Sequence, residues 1–372
     1  MLAPLLLVFV ALAVMTIVTV GPAVWLIVAW RLLNRQPVLE QEPRRLASWG
    51  FVDLVVVVLL VMLAIVGLMT LARDMAGIDI APRAPGEVRQ ASLSQMLISA
   101  VAQLLATSLV GMFILVRTGC SLGDLGLTTK HVASDVLLGA AAFCALAIPT
   151  YGLQLLLTQF WPSVHPLIES LKADRDPQFI AVGLFAAVIA APLAEEFVFR
   201  VLFQGWLEKM FDPAAIFRPN FFIHLLIGEH VESQPTEAVV CDANPAELTS
   251  GGLSDPTLAN PQQIADLGTN PPASPAAATE PPPAEPLPVR FPHWITDAVP
   301  ITASAALFAI MHLAHGPDFI ALFFLAVGLG YVYRRTHRIT PSLVVHFLLN
   351  LVSMIALIAA IYGEGFAKPM KP

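Results

Sequence analysis

Charge is what this sequence has least of. Only 13% of its 372 residues are Asp, Glu, Lys or Arg, against roughly 25% in a soluble domain, while 57% are hydrophobic. A water-soluble globule is thereby excluded, and a polytopic membrane protein is implied. Cysteine is nearly absent as well. Cys120, Cys144 and Cys241 stand far apart without a CxxC, which argues against a disulfide framework or a cysteine zinc centre. No basic segment precedes the first apolar run, MLAPLLLVFVALAVMTIVTVGPAVWLIVAW, and that run is too long for a signal peptide, so it reads as a retained transmembrane helix. HExxH and the P-loop are both missing. No fixed-period repeat is visible and the two halves do not resemble each other, which counts against the transporters built from repeated halves. No nucleic-acid partner is expected.

What is present is a series of long apolar runs, at 3–31, 50–73, 92–117, 133–160, 178–211, 294–315, 317–334 and 340–362. Helix is the only open-ended element that satisfies its own backbone in hydrocarbon, so the fold class is all-α, a bundle of about eight transmembrane helices. Residues 1–177 would form four of them, and 178–211 with 294–362 the remainder. Twelve Lys and Arg residues fall in the odd-numbered loops and seven on the other side. That bias puts the odd loops in the cytoplasm and the termini outside, in an integral multi-pass protein expected in the cell inner membrane.

The net charge of −7 is local. Between Asp212 and Pro292 there are ten acidic residues and two arginines, together with fifteen of the thirty-one prolines. This segment, 212–292, is expected to be an acidic, Pro/Ala-rich disordered insertion. Its start, IFRPNFFIHLLIGEH, is apolar enough to lie on the membrane surface.

Ionisable residues inside membrane helices are costly unless paired or wet, and here they concentrate on three helices. On the fifth, Glu196 and Arg200 are spaced i, i+4 and share a face, so each can lower the other's burial cost. Glu195 is rotated about 100° from Glu196 and is left over. A buried carboxylate with a like-charged neighbour is the setting for a general base. Pro192 loosens the backbone just before it. The sixth helix carries Phe308 and His312 four apart, and the eighth carries His346 and Asn350 four apart. An imidazole and an amide on one face can donate two hydrogen bonds to one point, as an oxyanion requires. Each feature alone also reads as structure: a salt-bridge staple, a packing histidine, interhelical polar glue. A carboxylate with two histidines is equally a donor set for Zn²⁺, so Glu195, His312 and His346 are the candidate metal ligands if a divalent metal is used.

Three ordered motifs carry a resemblance. EEFVFR (Glu195 to Arg200), FAIMH (Phe308 to His312) and HFLLN (His346 to Asn350) resemble the EExxxR, FxxxH and HxxxN/D motifs of the CPBP intramembrane proteases, which include type II CAAX prenyl endopeptidases and bacteriocin-processing or self-immunity proteins. The segment FFLAVGLGYVYRRTHRITPSLVVH is similar to the family's glycine-rich helix, although Ala326 stands where its first glycine is usual. The resemblance implies an endopeptidase acting on a membrane-associated protein or peptide, in some members a lipidated one, within the bilayer. It implies that Glu195 with His312 activates water, that His346 and Asn350 stabilise the oxyanion, and that Glu196 and Arg200 support them. Whether a metal takes part is left open. A transporter or proton relay using the same Glu and His residues, or an inactive binding or immunity scaffold, are the rival readings.

Overall fold

Apolar side chains all round a helix leave nothing but lipid or another helix to pack against, and the backbone follows that demand. The computed structural model describes residues 2–43, 45–76, 93–161, 166–173, 175–231 and 293–367. Its helices are α1 (Leu2–Leu33), α2 (Phe51–Ala76), α3 (Leu93–Thr118), α4 (Val132–Thr158), α5 (Pro166–Ala173), α6 (Pro177–Met210), α7 (Pro213–Ile216), α8 (Phe221–Ile227), α9 (His293–Met311), α10 (Asp318–Thr336) and α11 (Ile339–Ala367). No strand occurs among the described residues. The chain is an all-α, multi-pass integral membrane bundle.

Among the described residues seven helices, α1 to α4, α6, α10 and α11, are long and apolar enough to span a bilayer. The sixth of the eight expected from the sequence, α9, has a shorter apolar stretch, Ile295–Met311. At 1.5 Å per residue that is about 26 Å, just under the roughly 30 Å hydrocarbon core. It stops at Met311, not at 315 as expected from hydropathy. The chain turns there through a single 3₁₀ turn, Leu313–His315, and Gly316 at φ +95° redirects it into Pro317 and α10. Between α4 and α6 the short helix α5 was not anticipated; it folds because Leu171 is fully buried.

The central element is α4, which packs against α1, α10 and α11. A Cβ on Gly139 would fall 2.6 Å from Val344 Cβ, so only glycine lets α4 come this close to α11. On the other side α9 lies against α10 and the second half of α6, while α11 lies against the first half of α6. The odd-numbered loops meet at one end of the bundle. Gln41 Nε2 donates to Arg334 O at 3.0 Å, Ile339 N to Gly126 O at 3.1 Å and Val231 N to Thr118 O at 2.6 Å. Arg338, in the last of these loops, bonds Asp135 at 2.8 Å and also reaches Glu42.

The expected disorder from Asp212 onward is corrected at its start. Residues 212–231 are folded: Asp212 caps α7 by accepting from Ala214 N and Ala215 N, and Phe221 of α8 is buried. The segment is tied down by Lys209 Nζ to His224 O at 3.1 Å, Trp206 Nε1 to Leu225 O at 3.0 Å and Glu229 N to Ser48 O at 2.7 Å. Its backbone groups therefore have partners, which a Pro- and charge-based reading does not foresee. The remainder of the expected insertion, 232–292, lies outside the described residues.

Candidate active site

The site begins with an irregularity in α6. Two π-helical turns, Phe185–Ala190 and Phe197–Gln204, flank a short α-helical stretch, Ala191–Glu196. In the first turn Ala191 N–H donates to Ala186 O, five residues back. The next carbonyl, Ala187, would look to residue 192, which is proline and has no N–H. Asn350 of α11 supplies the missing donor, Nδ2 to Ala187 O at 2.8 Å. The amide expected to serve an oxyanion therefore has one of its two N–H groups committed to the backbone of α6.

Below this turn the two glutamates diverge. Glu196 and Arg200 are both completely buried and paired at 3.2 Å, the contact expected from their spacing. Arg200 Nη1 also donates to Ser304 Oγ at 3.3 Å, and Ser304 donates to Phe199 O at 2.8 Å. The second oxygen of Glu196 accepts from His346 Nδ1 at 3.0 Å. An ionised carboxylate can only accept, so the Nδ1 proton of His346 is fixed and Nε2 becomes the working end of the ring. Glu195 is a different case. It lines a cavity of about 350 Å³, its side chain is 27% exposed, and His346 Nε2 lies 3.7 Å from its Oε2.

His312 stands in the wall of the same cavity at the end of α9, with Nδ1 donating to Phe308 O at 2.8 Å. That carbonyl selects the tautomer with Nε2 as the ring's acceptor when the imidazole is neutral. Phe308 holds the group together: its buried ring lies 4.7 Å from that of His312, 6.0 Å from that of His346 and 5.2 Å from that of Phe199. The Arg200 guanidinium sits over it at 5.7 Å. The structure thus brings Glu195, His312, His346 and Asn350 to one cavity and places Glu196 and Arg200 behind its wall.

Other residues in this neighbourhood were not singled out from the sequence. Ser304 shares a helix face with Phe308 and His312, at four-residue spacing, and that periodicity was the available signal. Gln103, Gln154 and Asp318 also line the cavity, with Gln154 donating to Asp318 at 3.1 Å. They come from helices far apart in sequence, and nothing local announces them. Among the described residues no Lys or Arg lines the cavity.

The metal alternative meets an obstacle in these positions. Among the described residues no three His, Cys, Asp or Glu side chains gather as a metal centre. His346 Nδ1 is bound to Glu196 and His312 Nδ1 to a carbonyl, which leaves Nε2 of each ring for an ion, but in these positions Glu195, His312 and His346 do not come together as one ligand set. No step is therefore derived through a metal.

Residues 287–352 match the model of the family described as type II CAAX prenyl endopeptidase Rce1-like. Over this stretch the chain is similar to the Rce1-like family. The match holds Phe308, His312, His346 and Asn350, and the EEFVFR segment lies before it. It supports the CPBP resemblance and, in general terms, a CAAX-type intramembrane protease with a membrane-associated peptide substrate. No curated protein and no solved structure shows significant similarity to the chain.

Proposed function

We propose that this protein hydrolyses a peptide bond of a membrane-associated protein or peptide, using water activated by Glu195. The observation that carries the reading is the division of labour between adjacent carboxylates. Glu196 is consumed by Arg200 and His346, whereas Glu195 faces an apolar-walled cavity beside two imidazoles. Water held between Glu195 and His312 gives its proton to the carboxylate as its oxygen attacks the scissile carbonyl. With its ring protonated on both nitrogens, His346 donates from Nε2, and Asn350 from its second N–H, to the oxygen on which charge develops. The proton then passes to the leaving amine. Glu196 and Arg200 act through His346 by fixing its ring.

The cavity walls come from the start of α3, the end of α4, α5, the start of α10 and the middle of α11, so it lies away from the odd-loop end. With the odd loops in the cytoplasm of an inner-membrane protein, substrate enters the outer half. Its mostly apolar lining suits an apolar or lipidated segment.

The test is cleavage in proteoliposomes, followed by mass spectrometry of membrane peptides with prenylated and unprenylated arms. Glu195→Gln is expected to lower the rate by a factor on the order of 10² to 10⁴ while the protein still accumulates. Full activity in that variant sinks the assignment.

A further inference from the structure

Along one face of α6, Glu196, Arg200, Gln204 and Glu208 follow at four-residue spacing, and all four are buried. Their hydrogen bonds form a line with one break. Arg200 bonds Glu196, Gln204 Nε2 donates to Glu208 Oε1 at 3.0 Å and to Gly330 O at 2.9 Å, and Arg334 donates to Glu208 at 3.2 Å. Between Arg200 and Gln204 no bond is made. The break is flanked by one buried donor, Arg200 Nη2, and one buried acceptor, Gln204 Oε1, neither of which has a protein partner. Both amide protons of Gln204 are committed, so turning its amide round would lose two bonds and set its NH₂ group against the donor Arg200 Nη2.

Gly330 of α10 lets both side chains come close to its backbone. A Cβ there would stand 2.8 Å from Gln204 Oε1, 3.1 Å from Ile301 Cγ2 and 3.7 Å from Arg200 Nη1. The two side chains thus meet beside one position of α10, where a methyl group would collide with Gln204 Oε1 and push it aside. Leaving a buried donor and acceptor both unmet is costly, and a water able to bond both removes the cost.

We propose that a water molecule is bound between Arg200 Nη2 and Gln204 Oε1. It closes a hydrogen-bonded chain from His346 and Glu196 through Glu208 and Arg334 to a second pocket. That pocket, of about 190 Å³, is lined by Gln41, Glu42, Arg45, Asp212 and His337 at the odd-loop end. Gln204 is then a positioning residue: through the water it holds Arg200, and through Arg200 the carboxylate that orients His346. This second part rests on the proteolytic reading; the first does not.

The experiment is an experimental density map of the full chain at a resolution that shows ordered water, together with peptide-cleavage kinetics. A peak within hydrogen-bond distance, about 2.6–3.2 Å, of both atoms is expected. An empty void, or a direct bond between Arg200 and Gln204, overturns the water site whether or not the protein proves to be a protease. Gly330→Ala is expected to abolish the peak and to lower kcat by something on the order of tenfold with KM unchanged. Gln204→Met, which keeps the length and removes the acceptor, is expected to do the same and serves if the alanine variant fails to fold. Undiminished kcat in a variant that has lost the peak overturns the positioning role. A wild-type protein that cleaves nothing defeats the proteolytic reading, while the density still decides the water.

Discussion

The buried pair at the centre of the site offers a test in which stability and chemistry separate. At 3.2 Å and an effective dielectric constant near 20, the attraction between Arg200 and Glu196 is about 5 kcal/mol. Both groups are fully buried, so most of this is spent against desolvation, and the intact pair adds little net stability. Removing one partner is another matter. Arg200→Met leaves Glu196 with His346 alone, and Glu196→Gln leaves a guanidinium with Ser304 and the face of Phe308. Each single variant should cost about 3–5 kcal/mol, because it strands a buried charge. The double variant strands none, and about 2–3 kcal/mol of coupling should return. Thermal unfolding in detergent would show single-variant falls of roughly 6–20 °C and a double-variant fall smaller than their sum by roughly 4–12 °C. Proteolysis should stay lost in the double variant, since His346 no longer has its carboxylate. Strictly additive losses, or single variants within about 1 kcal/mol of wild type, would refute the reasoning.

Asn350→Ala should cost about 1–3 kcal/mol by orphaning Ala187 O, and the loss should shrink in a Pro192→Ala background, where residue 192 regains an N–H for that carbonyl; equal losses in both backgrounds would detach Asn350 from the π-turn. Gly139→Ala should destabilise the bundle by about 1–3 kcal/mol through contact with Val344 and lower the unfolding midpoint without touching the cavity; an unchanged midpoint would mean that α4 and α11 are not so closely packed.

Much of the bundle was legible because lipid simplifies the rules. A long apolar run has to be helix, and residues four apart on a helix share a face, so the Glu196–Arg200 contact follows from spacing alone. Ser304 was readable by the same periodicity and was passed over because a single serine in a membrane helix is unremarkable. The early end of α9 was harder, since hydropathy does not see the 3₁₀ turn at Leu313–His315. The folded stretch 212–231 was hidden for a related reason: its order comes from Ser48, Lys209 and Trp206, which hydropathy does not connect to it.

The sequence by itself determined the helices, the membrane, and the fact that two carboxylates, a guanidinium, two imidazoles and an amide had to find one another in hydrocarbon. Only the tertiary structure decided how they are shared out. That Glu196 bonds His346, that Asn350 answers a carbonyl left over by Pro192, and that Gly330 lets Gln204 pack close against α10 are all contacts between helices far apart in the chain. Helical periodicity fixes which face a side chain occupies, but not which helix it meets, and in this bundle the meeting separates Glu195 from Glu196.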